Sequence, residues 1–585
     1  MTHVDWAIVA VLCGISLGVG LFFTRSAGRK GEEGFFTANR DLPWWAVGLS
    51  NCATYQSGGG GFVMLVLAFG IAGNWIWWSS WIMWMPLVAV IWAPMWRRMK
   101  IVTTAELITL RYSGRPALIA RKIYAFIMFC TAVLVIGYIT GFFAKTIAPL
   151  VTLSELEILL LFGGVTAAYS MLGGLSGVVF VDVVQFGFLM LGSFVLLIFA
   201  VPQLGGWETI LETARAIRPE SLRQFPPVPG VDIYSIMVFI VIGAFFAGSP
   251  TAGEGMTAQR FMAAKNERHA IGGQLFNAFI ALSFRTIPLI AMGIMAVGIF
   301  WTPDFAAQIG PAPEGMTMLE DPVYAWGELL KHLDLPAGFV GLLVAIEAAA
   351  FMSTLSSLIN WGGSFLVNDY FKALRPDASM KEEVIASRTA TVLLFIFASL
   401  VAYFFVEGLI GWFMFINSAM VSFILPLAVY RFFWSRFNIW GELTATIIGL
   451  PLSIVIWFVM GFKDRPYWQG LGLLFLSGAV SLFIATILTP PEPKETLMNF
   501  YKRCRPIGLW KGIREEAGPD YAPEKPLGVL LVDSLFGILA CLGLVIATNS
   551  LLVRSWSLLA VSVAMTAIFG ALLIKRYSSG KTVEA

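Results

Sequence analysis

An all-α polytopic membrane protein of about 15 transmembrane helices is the fold this sequence predicts, on three observations. The 585 residues are 58% hydrophobic and only 13% charged, with a mean hydropathy of +0.79. Apolar stretches close to twenty residues long, enough to cross a hydrocarbon core at helical rise, recur from end to end. Between them Lys and Arg favour one side: loops that alternate inward hold 30 of the 39. That bias places the N-terminus outside and the C-terminus in the cytoplasm, which requires an odd number of crossings.

The spans lie near 4–24, 44–72, 73–97, 121–147, 155–173, 178–203, 231–250, 271–301, 337–371, 387–405, 408–432, 440–461, 468–488, 527–547 and 553–575. The first lacks a basic region ahead of its apolar run and a small-residue cleavage pattern, so it reads as a retained helix. The second carries Ser57-Gly58-Gly59-Gly60-Gly61 at its middle, and the seventh ends in Gly243, Gly248, Ser249, Pro250 and Gly253. Both look broken, and unwound backbone at membrane depth is tolerated only within protein or around a cavity. They stand five spans apart, the spacing of the first helices of two inverted five-helix repeats. The repeats would cover 44–203 and 231–432, with an outer loop at 204–230 between them. An N-terminal helix and first cytoplasmic loop (1–43) precede them. Accessory helices (433–585) follow, interrupted by a polar cytoplasmic loop at 489–526. In the third span Trp96 suits an inner interfacial belt, and Trp75, Trp77 and Trp78 an outer one.

Several functions are disfavoured. A net charge of +3 does not suit nucleic-acid binding, and the five cysteines and three histidines show neither paired nor metal-ligand spacing. With no nucleophile motif and no phosphate-binding loop, the chain does not read as an enzyme. The bilayer and a small solute are the partners expected, with no obligate protein partner.

The polar groups inside the spans carry the functional signal. Met352-Ser353-Thr354-Leu355-Ser356-Ser357 puts four hydroxyls in a long apolar stretch. On a helix Ser353, Ser356 and Ser357 share one face. Such groups bond back to the helix, bond a neighbour, or hold something that needs oxygen ligands, such as sodium. Asp182 sits near the inner end of the sixth span. Arg285 lies mid-span and Glu347 about ten residues into the ninth, at similar depth, where a buried ion pair between the two is one reading.

The chain also resembles the sodium:solute symporters. The resemblance spans roughly residues 1–490 and rests on Phe35-Phe36-Thr37-Ala38-Asn39-Arg40 with Trp44-Trp45, and on Gly48-Leu49-Ser50-Asn51-Cys52-Ala53-Thr54-Tyr55-Gln56-Ser57. It continues through Tyr169-Ser170-Met171-Leu172-Gly173-Gly174-Leu175 with Asp182 and Gln185, then Gln259-Arg260-Phe261-Met262-Ala263-Ala264-Lys265. Ala350-Phe351-Met352-Ser353-Thr354-Leu355, leading to Asp369-Tyr370, completes the set.

That resemblance implies a ten-helix core with the leucine-transporter fold and sodium-driven symport of a small organic solute across the plasma membrane, here a bacterial inner membrane. A proton-coupled carrier is the nearest alternative, and a transporter-like membrane sensor a more distant one. The implied common sodium site takes the carbonyls of Ala53, Gln56 and Ala350 and the hydroxyls of Ser353 and Thr354. An implied second sodium site takes Asp182, Ser353, Ser356 and Ser357. Tyr55, Gln56, Ser57, Arg285, Asn417 and Ser418 are the implied substrate-lining residues. Arginine suits a bidentate carboxylate, so Arg285 suggests an organic anion.

Overall fold

A computed structural model describes all residues except 28, 30, 55–58, 229–230, 250–253, 302–315, 320, 406–423 and 579–585. Among the described residues 11 helices are long and apolar enough to cross a membrane, or up to 12 if the bent pair Trp44–Thr54 and Gly59–Phe69 is one span. That pair is bent by 54° at a break of at most 4 residues.

The difference from the 15 expected spans arises at three further places. Where the sequence suggests two spans, at 155–173 and 178–203, helix runs from Leu156 to Gln203, 48 residues in all. It is not straight: Gly174 leaves helical geometry at φ 53° and ψ −158°. A Cβ there would stand 2.7 Å from the carbonyl oxygen of Phe35, so both the backbone conformation and the close approach require glycine. Ile233–Gly243 is an apolar helix of only 11 residues. The expected span at 408–432 lies mostly outside the described residues, which resume with the helix Ile424–Phe433.

The helix Phe339–Phe365 forms the axis of the core. It packs on Gly164–Gln203, Gly114–Ile147, His3–Ala27, Trp44–Thr54 and Met256–Ala263, and every residue from Leu343 to Phe365 is buried. The last of those neighbours corrects the sequence reading. The stretch 251–270 reads as an inward loop, yet Met256–Ala263 is a helix with all eight residues buried, Arg260 among them.

The polar segment 489–526 is likewise more than a connection. It folds into the helices Lys494–Cys504 and Lys511–Ala517 and docks onto the bundle. Trp510 Nε1 donates to the Phe432 carbonyl at 2.8 Å, and Arg98 donates to the Cys504 carbonyl at 2.9 Å. Glu492 joins two helix N-termini: its carboxylate accepts from Ser113 N at 3.1 Å and Ile439 N at 3.0 Å. This cover removes Trp96 from an interfacial belt. Trp96 is fully buried, edge-on to Phe432 at 5.6 Å between ring centroids. The two final helices, Leu527–Leu552 and Trp556–Ser578, pack chiefly on each other at the periphery.

Candidate ion and solute site

The site begins at the break in the second span. The helix Trp44–Thr54 runs up to that break. Across from it runs the serine-bearing face of Phe339–Phe365. Thr54 Oγ1 and Ser357 Oγ lie 3.1 Å apart and tie the two helices together.

One helical turn earlier stand the residues expected to hold sodium. Thr354 Oγ1 donates to the Ala350 carbonyl at 3.1 Å, which leaves the lone pairs of its oxygen for another ligand. Ser353 Oγ donates to Asp182 Oδ1 at 2.7 Å. Ala53 and Ala350 are both buried. The donor set of neutral oxygens suits a hard monovalent cation and adds no charge to the interior. Gln56 lies outside the described residues, as do Tyr55, Ser57, Asn417 and Ser418.

Asp182 has a cation beside it that the sequence reading did not assign: Arg260. Both are fully buried, with Arg260 Nη2 and Asp182 Oδ2 3.2 Å apart. Ser50 Oγ donates to the same carboxylate oxygen at 2.5 Å. Arg260 also donates from Nε to Ser50 Oγ at 2.6 Å, from Nη1 to the Met256 carbonyl at 3.1 Å, and from the same Nη2 to Thr54 Oγ1 at 2.8 Å and to the hydroxyl of Ser357. Ser356 donates to the Ser353 carbonyl at 2.9 Å. Of the four residues expected around a second sodium, three therefore meet in one network with a guanidinium, and the fourth bonds to its own helix. The missed signal was Arg260 beside Phe261-Met262-Ala263-Ala264. Counting its charge toward loop topology concealed its burial.

The pairing of Arg285 with Glu347 takes a different form from the ion pair considered above. It is absent from the salt bridges among the described residues. Glu347 instead accepts the backbone N–H of Gly59, the first residue of Gly59–Phe69. Arg285 sits with its guanidinium 5.7 Å from the Phe62 ring centroid. A buried acid thus bonds to a helix N-terminus beside a buried base, with no direct bridge between them.

A second buried charge cluster also escaped sequence reasoning. Arg431 bridges Glu254 and Glu442, all three fully buried. Tyr124 donates to Glu254 at 2.6 Å and Tyr112 to Glu442 at 3.0 Å.

This geometry has a family. The sodium:solute symporter family model matches residues 35–449. The chain belongs to the sodium:solute symporter family. Family membership makes it a transporter and not an enzyme: a sodium-coupled symporter of a small organic solute and a multi-pass plasma-membrane protein. A sodium/glucose cotransporter of Vibrio parahaemolyticus is 27% identical over 530 residues, covering 84% of this chain and 92% of that one. The sodium/myo-inositol cotransporter 2 of Homo sapiens is 27% identical over 568 residues, covering 89% and 81%. The solved structure of a Na+-coupled sialic acid symporter, substrate-bound and outward-open, superposes with a TM-score of 0.69 at 19% identity. It covers 84% of this chain and 99% of that one, and the two share a fold.

Proposed function

We propose that this symporter imports a neutral polyhydroxylated solute, such as a sugar or an inositol, with sodium bound by Ala53, Gln56, Ala350, Ser353 and Thr354. The observation that carries the sodium assignment is the meeting of a broken helix end with the hydroxyl face of Phe339–Phe365 at Thr54 and Ser357. Carbonyls beside the break, with hydroxyls whose protons go to Asp182 (Ser353) and to the Ala350 carbonyl (Thr354), would make a neutral oxygen cage. Arg285 by itself suggests an organic anion. Glu347 beside it, and relatives named for glucose and myo-inositol, favour a neutral solute instead. Tyr55, Gln56, Ser57, Asn417 and Ser418 are proposed to line the same cavity.

The architecture we propose has 15 crossings with the N-terminus outside and the C-terminus in the cytoplasm of a bacterial cell. Its core is two inverted five-helix repeats. The break at Gly174 supports two crossings within 156–203, because 48 helical residues would reach about 72 Å, more than twice the hydrocarbon core. The short helix Ile233–Gly243 and the helix ending at Phe433 supply two further crossings.

For Asp182 the hydrogen bonds favour a gate over a second sodium site. A second ion on Asp182, Ser353, Ser356 and Ser357 would have to displace Arg260 from its carboxylate.

The test is uptake into proteoliposomes of glucose, galactose and myo-inositol, with an inward sodium gradient and with potassium in its place, at fixed pH. Accumulation of a neutral solute only with sodium is the expected result. Equal accumulation driven by a proton gradient without sodium would overturn the coupling assignment.

A further inference from the structure

We propose that Tyr169 is a positioning residue for the sodium site: its hydroxyl holds the turn of Phe339–Phe365 that carries Ser353 and Thr354, and so sets the affinity for the ion. The proposal rests on the sodium ligands named above. It begins with the backbone of that turn, where three carbonyls each accept from a hydroxyl. Thr354 Oγ1 donates to Ala350 at 3.1 Å, Ser356 Oγ to Ser353 at 2.9 Å and Tyr169 Oη to Met352 at 3.0 Å. A hydroxyl bonded back to its own helix loosens and bends the turn it joins. The first two donors are of that kind. Tyr169 is not: it is a fully buried residue of Gly164–Gln203, and it pulls on the turn from outside.

Asp182 reaches the same turn from the same element, accepting from Ser353 Oγ at 2.7 Å. Gly164–Gln203 therefore holds Met352 and Ser353, neighbours in sequence, at two points. Tyr169 and Asp182 are thirteen residues apart, which on a straight helix is about 20 Å. The Cα atoms of their two targets are only about 3.8 Å apart. Between them lies Gly174, whose φ of 53° and ψ of −158° interrupt the helix, and this change of direction brings both side chains to one turn. The two act differently. Asp182 takes the Ser353 proton and leaves lone pairs on that hydroxyl oxygen for an ion. Tyr169 bonds to the backbone and acts on the ligands through it.

The helix His3–Ala27 braces Tyr169 from behind. At Gly20 it lies so close that a Cβ there would stand 2.7 Å from Tyr169 Cβ, and a Cβ at Gly173 would stand 3.2 Å from the Gly20 carbonyl oxygen. Three residues beyond Asp182, Gln185 donates to Ser16 Oγ of the same helix at 3.2 Å. Small residues on both sides thus fix where the phenol starts, and its length fixes where the hydroxyl meets Met352.

The test is Tyr169→Phe, which keeps the ring and its packing and removes only the donor. Sodium dependence of uptake into proteoliposomes is measured with the best accepted of glucose, galactose and myo-inositol, beside Thr354→Ala and the double variant. Tyr169→Phe should raise the half-saturating sodium concentration about three- to tenfold, the worth of one neutral hydrogen bond. Maximal uptake at saturating sodium should stay within about twofold of wild type. In the double variant the shift should fall well short of the product of the two single shifts, because both residues act on one turn. If a variant transports too weakly to measure, the sodium concentration that half-stabilises its melting temperature, with potassium as the balancing ion, reads the same affinity. Unchanged half-saturating sodium in Tyr169→Phe, or a loss confined to maximal uptake or to stability in potassium, would overturn the positioning role. A shift in Thr354→Ala would then leave the sodium site standing. Fully multiplicative shifts in the double variant would likewise remove Tyr169 from this turn. Wild-type sodium dependence in Thr354→Ala would overturn the sodium site and the positioning role with it.

Discussion

Two buried acids in this core face two buried arginines, and they are arranged differently. Asp182 touches Arg260 directly, and the pair is enclosed by Ser50, Thr54, Ser353 and Ser357, so that hydroxyls of two helices converge on one ion pair. Glu347 and Arg285 stay apart: the acid holds the Gly59 amide and the base lies over Phe62. A closed, fully hydrogen-bonded pair stabilises one arrangement of helices. The first joins Trp44–Thr54, Gly164–Gln203, Met256–Ala263 and Phe339–Phe365 in one closed network, which we read as a latch.

The sharpest way to break this contrast is to remove one member of the closed pair. Asp182→Asn leaves Arg260 buried and uncompensated, and should lower stability by about 3–5 kcal/mol, read as the melting temperature in detergent. The double variant Asp182→Asn with Arg260→Gln should cost less than the single one. If the single variant melts like wild type, Asp182 and Arg260 do not form a latch. The gate reading also expects sodium activation of uptake with a Hill coefficient near one. Steep activation that Asp182→Asn flattens in an active protein would restore the second sodium site.

Outside the membrane spans, Glu32 offers a pH-dependent version of the same physics. Burial pushes its carboxyl up to about 7, against the pull of Lys372 at 2.8 Å. The folded protein therefore holds this proton more tightly than the unfolded chain. Its contribution to stability is fullest below about pH 4.5 and is lost as pH rises toward 7, by up to about 3 kcal/mol. Glu32→Gln should flatten that part of the melting profile between pH 5 and 7.5. A slope identical to wild type would show that Glu32 titrates normally.

Arg111 tests the docked segment 489–526. It donates to the carbonyls of Arg431, Trp434, Ser435 and Phe437 and stacks between Tyr112, Phe500 and Trp510. Arg111→Ala should cost about 2 kcal/mol and expose 489–526 to limited proteolysis. Unchanged protection would mean that Glu492 and Trp510 hold the segment by themselves.

The smallest expected effect is at the proposed sodium ligands. Thr354→Ala removes one neutral oxygen among five and should raise the half-saturating sodium concentration by about three- to tenfold, equivalent to about 1 kcal/mol. Wild-type sodium dependence in that variant would detach the ion from this turn of helix.

Much of this was legible in the chain. The membrane fold followed from apolar run length, and the broken second span from Ser57 to Gly61, because glycine and apolar length act locally. The hydroxyl face at Ser353, Ser356 and Ser357 followed from helical spacing, although spacing could not reveal that Ser356 bonds to its own helix. Arg260, Arg431 and Arg111 were counted as loop charges because a positive residue between apolar runs looks the same whether it faces water or a buried acid. Their partners, Asp182, Glu254, Glu442 and the carbonyls near Phe437, are distant in sequence.

By itself the sequence determined that this is a polytopic helical protein of the sodium:solute symporter family, because hydropathy, breaks and short motifs are properties of contiguous residues. Tertiary structure alone decided which charge meets which. The partner of a buried ion is set by helix packing, and an acid in a dry interior is satisfied by whatever donor the fold brings to it: Arg260 for Asp182, and the end of a broken helix for Glu347.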